Sequence, residues 1–167
     1  TKLSAKDITS LLSSGKTAAV KNIDSVSPDV LKEIAAWGAK NGKDATFSVS
    51  TTLSGKKTVQ GRITLNPANF TALKKDLELG VYTEDSKVSK TKANFEKWYT
   101  NDVAVIKLEH SGSFGATVQI TARLDTKKLD TDNLVFYAYN GKKVTLLKNT
   151  NYKVDNKGYV YFDTNQG

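Results

Sequence analysis

The residue types and spacings with most chemical promise in this chain are aromatic. In Val135-Phe-Tyr-Ala-Tyr139 strand alternation puts Tyr137 and Tyr139 on one face, and in Tyr159-Val-Tyr-Phe162 it does the same for Tyr159 and Tyr161. Sugars present apolar C–H faces rimmed by hydroxyls, so a protein binds them by stacking Trp or Tyr rings while Asn, Asp, Gln and Lys bond the edges. Antiparallel pairing of the two segments would assemble a tyrosine ladder with Tyr152 near its edge. Trp37, between Ala36 and Gly38, falls at the margin of an apolar helical stripe, and this leaves part of its indole available. Trp98 lies at helical spacing from Phe95, with Tyr99 beside it and the polar Thr100-Asn-Asp102 following. Each set has a plainer alternative: half-buried sheet tyrosines, and tryptophans that pack a core.

Other constellations are thinner. Asp125, Asp130, Asp132 and Asn133 supply hard oxygen ligands over a short loop, but the glycine and terminal glutamate of a calcium-binding EF-hand are missing, and turn chemistry explains them better. His110 is the single histidine and follows Glu109 in a turn, with no nucleophile to serve. Carboxylate pairs such as Glu84 with Asp85 or Glu96 could meet only in the fold. Zero cysteines remove disulfides, zinc clusters, iron–sulfur centres and thiol nucleophiles together. No catalytic residue, metal site or cofactor is expected. Asn69-Phe-Thr71 fits a glycosylation sequon, which means little if the source is bacterial.

The formal net charge of +8 raises the question of a polyanion partner. Only Arg62 and Arg123 are arginine, however, and the lysines are spread, with pairs such as Lys56-Lys57 and Lys142-Lys143 at hairpin tips, where they discourage strand aggregation. Solvated charge is the favoured reading, ahead of an acidic wall polymer or membrane surface and of nucleic acid. With 38% hydrophobic and 25% charged residues the composition is that of a globular protein, and no apolar run is long enough to span a bilayer. Thr1 opens a polar segment with no apolar leader, as expected of an excised or mature piece. The lack of both Cys and Met fits an exterior location.

The elements that must position these residues follow from periodicity. Ser4 and Asp7 form a capping signal ahead of Ile8, Leu11 and Leu12, with Gly15 as the stop. After a strand-like stretch at 17–23, Ser27-Pro28 opens a second helix carrying Val30, Leu31, Ile34, Ala35 and Gly38 on one stripe and closing at Gly42. A hairpin follows, with Phe47, Val49, Thr51 and Leu53 answered by Val59, Gly61, Ile63 and Leu65 across Ser54-Gly55. Residues 76–83 alternate through Leu77, Leu79 and Val81, which predicts a third strand of that set, and 86–99 carry a helical pattern. Strands at 103–108 and 116–124 are expected around the His110–Gly115 turn. Strands at 134–139, 144–148, 152–154 and 159–163 then follow, turning at Asn140-Gly141 and at Asp155-Asn-Lys-Gly158. The fold expected is α+β to mainly β, a β meander or a β-sandwich-like C-terminal half packed by short helices. It forms a single module over 1–167, in which a subdomain boundary near Asn101 is allowed but not demanded.

Three stretches resemble a known kind of module: Val105-Ile-Lys-Leu-Glu-His-Ser-Gly-Ser-Phe-Gly-Ala-Thr-Val-Gln-Ile-Thr-Ala-Arg-Leu124, Asn133-Leu-Val-Phe-Tyr-Ala-Tyr139 and Tyr152-Lys-Val-Asp-Asn-Lys-Gly-Tyr-Val-Tyr-Phe162. They are similar to a non-catalytic β-rich module of surface and secreted proteins of Gram-positive gut clostridia, found beside dockerins, carbohydrate-binding modules and glycosidases. Such modules end on one more apolar strand past the position of Gly167. The resemblance implies an extracellular or cell-surface module for polysaccharide attachment or protein spacing, and it brings no catalytic residues. The reading is therefore a non-catalytic polysaccharide-binding module, with starch or another glucan as first choice, monomeric within a larger multimodular protein, inserting into no membrane and binding no nucleic acid. Its sugar would stack on Trp37, Trp98 and Tyr99, or on Tyr137, Tyr139, Tyr159 and Tyr161. The competing class is a structural spacer or protein-interaction module.

Overall fold

Both predicted N-terminal helices form, and their ends show why. In the computed structural model α1 spans Ala5–Ser13; Ser4 Oγ accepts from the Asp7 N–H at 3.4 Å and Asp7 Oδ2 accepts from the Ser4 N–H at 3.0 Å, a reciprocal capping box. Helix α2 spans Pro28–Asn41, with Ser27 Oγ accepting from the Val30 N–H at 3.2 Å and Gly42 closing it at φ 60°. The structure describes all residues except 85, 99–102, 126–128, 140–141 and 148–149, and the side chains of 86, 87, 90 and 98 are also outside the description.

The strands are β1 Ala19–Lys21, β2 Ser25–Val26, β3 Phe47–Thr52, β4 Val59–Leu65, β5 Leu77–Glu78, β6 Val81–Tyr82, β7 Lys107–Leu108, β8 Ser113–Arg123, β9 Phe136–Tyr139, β10 Val144–Leu147, β11 Tyr152–Val154 and β12 Tyr159–Gln166; α3 is Ser86–Trp98. Six of them build one mixed sheet in the order β1-β3-β4-β8-β12-β11, with β1 parallel to β3 and every other pair antiparallel. The β4–β8 pairing joins strands from either side of position 101 in that sheet. The class is mixed α+β.

One face of this sheet is covered. Phe47, Val49, Ile63, Leu65, Val118, Ile120, Val160 and Phe162 are buried in one cluster with Ile8 of α1 and with Leu31 and Ile34 of α2. Two-stranded ribbons β2–β5 and β6–β7 also contribute to that side through Val26, Leu77 and Val81. The ribbon β9–β10 adds Phe136, whose ring lies 5.0 Å from that of Phe162 and 5.5 Å from that of Tyr152.

Two strand expectations are corrected. Residues 76–83 do alternate inward, since Leu77, Leu79 and Val81 are all buried, but they do not add a strand to the β3–β4 hairpin. The segment splits at Gly80 into β5, paired with β2, and β6, paired with β7. Likewise residues 103–108 do not form a hairpin with 116–124: β7 is two residues long and pairs with β6, whereas β8 starts at Ser113 and pairs with β4 and β12. In both cases the alternation records burial, and neighbouring backbone decides the partner. The Asn140-Gly141 turn lies outside the described residues.

Candidate functional site

The opposite face of the six-stranded sheet is polar. Register aligns Lys21, Ser50, Arg62, Thr121, Tyr161 and Lys153 in one row that crosses all six strands. A second row runs Ala19, Ser48, Thr64, Gln119 and Asp163. With neighbouring strands about 4.8 Å apart, the first row is about 24 Å long. Long and short side chains alternate over much of it, and the short ones, Ser50 and Thr121, are shielded by their neighbours to 3% and 2% exposure. Arg62 Nε donates to Ser50 Oγ at 2.9 Å, which aims the guanidinium along the face.

Tyr159 and Tyr161 stand together on this face, cross-strand from Arg123 and Thr121. Both hydroxyls are tied down. Tyr159 Oη donates to the Val59 carbonyl at 3.1 Å. Val59 belongs to β4, two strands from β12, a separation of about 9–10 Å, so the half-buried Tyr159 side chain reaches across β8. Tyr161 Oη donates to Asp155 Oδ2 at 3.1 Å, while Asp155 Oδ1 accepts the N–H groups of Tyr159 and Lys157 at 2.9 Å each. The carboxyl of Asp155 is thereby held below its ordinary value, chiefly by the Tyr159 N–H. Burial first, and then the Asp155 bond, pushes the Tyr161 phenol up. Phenol and carboxylate thus stabilise one another as neutral donor and charged acceptor.

Arg123 is placed by a buried relay. The β3–β4 pairing shifts register at Thr51/Thr52, and Gln60 is the extra residue of the bulge. Its fully buried amide donates to the Thr52 carbonyl at 3.0 Å and accepts from the N–H groups of Thr83 at 2.9 Å and Glu84 at 3.3 Å. Glu84 is thereby brought to Arg123 Nη1, its two carboxylate oxygens at 3.2 and 3.3 Å. Arg62, Lys21 and Lys153 have no acidic partner among the described residues.

The other aromatic candidates lie elsewhere. The tyrosine ladder does not form, because β9 pairs only with β10 and not with β12. Tyr137 and Tyr139 occupy the outer side of that ribbon, 54% and 42% exposed, with Leu146 opposite Tyr137 and with Val135 one step before the strand; Phe95 meets the Tyr139 ring edge-on at 5.0 Å. Tyr152 pairs with Phe162 on the covered side and donates from Oη to the Thr131 carbonyl at 2.8 Å. Trp37 is half-buried at the stripe's edge, as helix geometry predicts, with Lys43 Nζ 6.0 Å above its ring, on a helix that packs against the covered face. Tyr99 and the Trp98 side chain lie outside the described residues.

His110 is buried, its Nε2 2.9 Å from the Ser113 carbonyl and its Nδ1 3.3 Å from the Glu78 N–H, with the ring stacked on Phe114 at 4.7 Å. These are the contacts of a structural residue. Asp130 accepts from the Asp132 N–H and from Asn133 Nδ2 within its own turn, and no group of three His, Asp or Glu converges among the described residues. Glu84 is committed to Arg123 and Glu96 lies 3.9 Å from Lys92; Asp85 is outside the description. Among the described residues no helix is long and apolar enough to cross a membrane.

Sequence reasoning missed Arg62, Arg123 and Asp155 as parts of the face. Arg62 alternates with inward Gly61 and Ile63, so its outward direction was readable, but its partner strand was not. Set against protein-family models, curated proteins and solved structures, the chain matches none of them.

Proposed function

We propose that the chain is a non-catalytic polysaccharide-binding module of an extracellular or cell-surface protein, with the open sheet face as its platform. The Tyr159 side chain reaching across β8 carries this reading. A ring pinned at its hydroxyl loses little freedom when a sugar stacks on it. Tyr161, Arg62 and Arg123 beside it, with Thr64 and Gln119 in the next row along the face, supply the edge-bonding groups that a pyranose ring needs. A single face of this kind binds weakly, and linkage to further modules in one protein raises its avidity.

Titration of the folded protein with maltoheptaose, cellohexaose and a panel of soluble polysaccharides tests the reading. Removing a stacking ring lowers affinity by about tenfold or more. Tyr159→Ala and Tyr161→Ala should each do so while the thermal midpoint stays well above the assay temperature. Full binding by both variants, or the release of reducing ends that survives repurification, would exclude it.

A second reading, a spacer or protein-interaction module, is favoured by the outer side of β9–β10. Val135, Tyr137, Tyr139 and Leu146 are the large hydrophobic residues exposed there, and contiguous apolar surface suits a protein partner. In this reading the sandwich-like layering of the C-terminal half is the β9–β10 ribbon seated through Phe136 on β12. Retention of sugar binding after Tyr137→Ser together with Leu146→Ser would assign the two surfaces separate roles.

A further inference from the structure

The charge pattern of the open face narrows the class of polymer. We infer that it takes an acidic polysaccharide, a chain bearing carboxylates, and that Arg62 is the residue that grips one of them; this rests on the open face being the sugar platform. The described acids nearest the row are placed as follows. Glu84 is neutralised by Arg123, Asp155 is occupied by the Tyr161 hydroxyl and two N–H groups, and Asp163 lies one row away, opposite Gln119. The row through Tyr161 therefore carries three cations, Lys21, Arg62 and Lys153, and no anion.

Arg62 is suited to a carboxylate. Its Nε is fixed to Ser50 Oγ and its body is half-buried between strands, so the guanidinium is pre-oriented while its terminal nitrogens have no partner among the described residues. A planar fork held in this way bonds a carboxylate bidentately, which a neutral glucan hydroxyl cannot match. The cations are also sparse: Lys21 lies two strands from Arg62 and Lys153 three, about 10 and about 14 Å. That spacing suits charges carried on separated sugar units. A nucleic acid, with a phosphate on every unit, would find one further arginine, Arg123, and that one is already paired with Glu84.

The test uses a galacturonate heptamer, its full methyl ester, maltoheptaose and a single-stranded oligonucleotide of equal charge, each titrated against wild type, Arg62→Gln, Arg62→Lys and Lys56→Gln. Lys56→Gln removes the same charge at the β3–β4 hairpin tip, away from the row. The acid form should bind about tenfold or more tighter than its ester. Arg62→Gln should remove that advantage, Arg62→Lys should keep only part of it, and Lys56→Gln should change affinity by less than about twofold. Equal binding of acid, ester and maltoheptaose, unaffected at Arg62, overturns the acidic ligand and leaves the polysaccharide platform standing. Binding of the oligonucleotide as tight as the acid, weakened alike by Arg62→Gln and Lys56→Gln, overturns it in favour of unselective charge attraction. No binding of any sugar removes the platform itself. The comparison of acid with ester on wild type decides the matter even if Arg62→Gln unfolds.

Discussion

Gly61→Ala probes a close approach of two layers in this protein. A Cβ at position 61 would point to the covered face and meet Val81 on β6, 2.5 Å from its carbonyl oxygen and 2.6 Å from its Cβ, with Val81 Cγ1 in contact as well. Two of those atoms belong to backbone and a β-branched root, so rotation of a side chain cannot relieve the clash. Overpacking of this kind costs about 1–3 kcal/mol. Alanine in place of glycine within a strand returns about 0.5–1 kcal/mol by restricting the unfolded chain. The net expectation is a loss of up to about 2.5 kcal/mol, or a midpoint lowered by up to about 10 °C for a chain of this length. Differential scanning calorimetry on wild type, Gly61→Ala and the double variant with Val81→Ala measures it. The double variant should recover only part of the loss, since the Val81 carbonyl and Cβ remain. Sugar affinity of the folded fraction should not change, because position 61 faces away from Arg62. A midpoint at or above that of wild type would refute the packing of β6 beneath β4.

Three further outcomes follow from the same geometry. Because the folded Asp155 carboxyl lies below its ordinary 3.8, its stabilisation is complete above that value and is lost as pH falls through the depressed one. The midpoint gap between wild type and Asp155→Asn should therefore be full near neutral pH and narrow as the pH falls below 3.8, and a gap unchanged by acid contradicts the assignment. Trp37→Ala, on the covered side of the sheet, should leave sugar affinity within about twofold of wild type, a smaller change than loss of a stacking ring produces; a tenfold loss in titration would move the site to α2. Addition of EDTA should leave the thermal midpoint unchanged, since Asp130 is already used within its own turn, and a drop of several degrees would revive a calcium site at Asp125, Asp130 and Asp132.

Local pattern alone determined α1, α2 and two of the tightly turned hairpins. Ser4 with Asp7, and Ser27 with Pro28 and Gly42, specify α1 and α2 because capping is chemistry between residues three apart or adjacent. The β3–β4 and β11–β12 hairpins follow from alternation around a tight turn, and the same alternation put Tyr159 with Tyr161. It equally put Tyr137 with Tyr139, and there its reach ended: two tyrosine pairs with one local pattern lie on different sheets, one tied down at both hydroxyls and the other exposed on a ribbon. Period-two alternation states which residues of a strand share a face, and says nothing of which strand lies alongside. Tertiary structure decided the β4–β8 pairing, and with it the meeting of Arg62, Arg123, Tyr159 and Tyr161 from three strands. That pairing is set by burial of Ile63, Ile120 and Phe162 on the other side of the sheet, so the polar face was assembled by the apolar residues behind it.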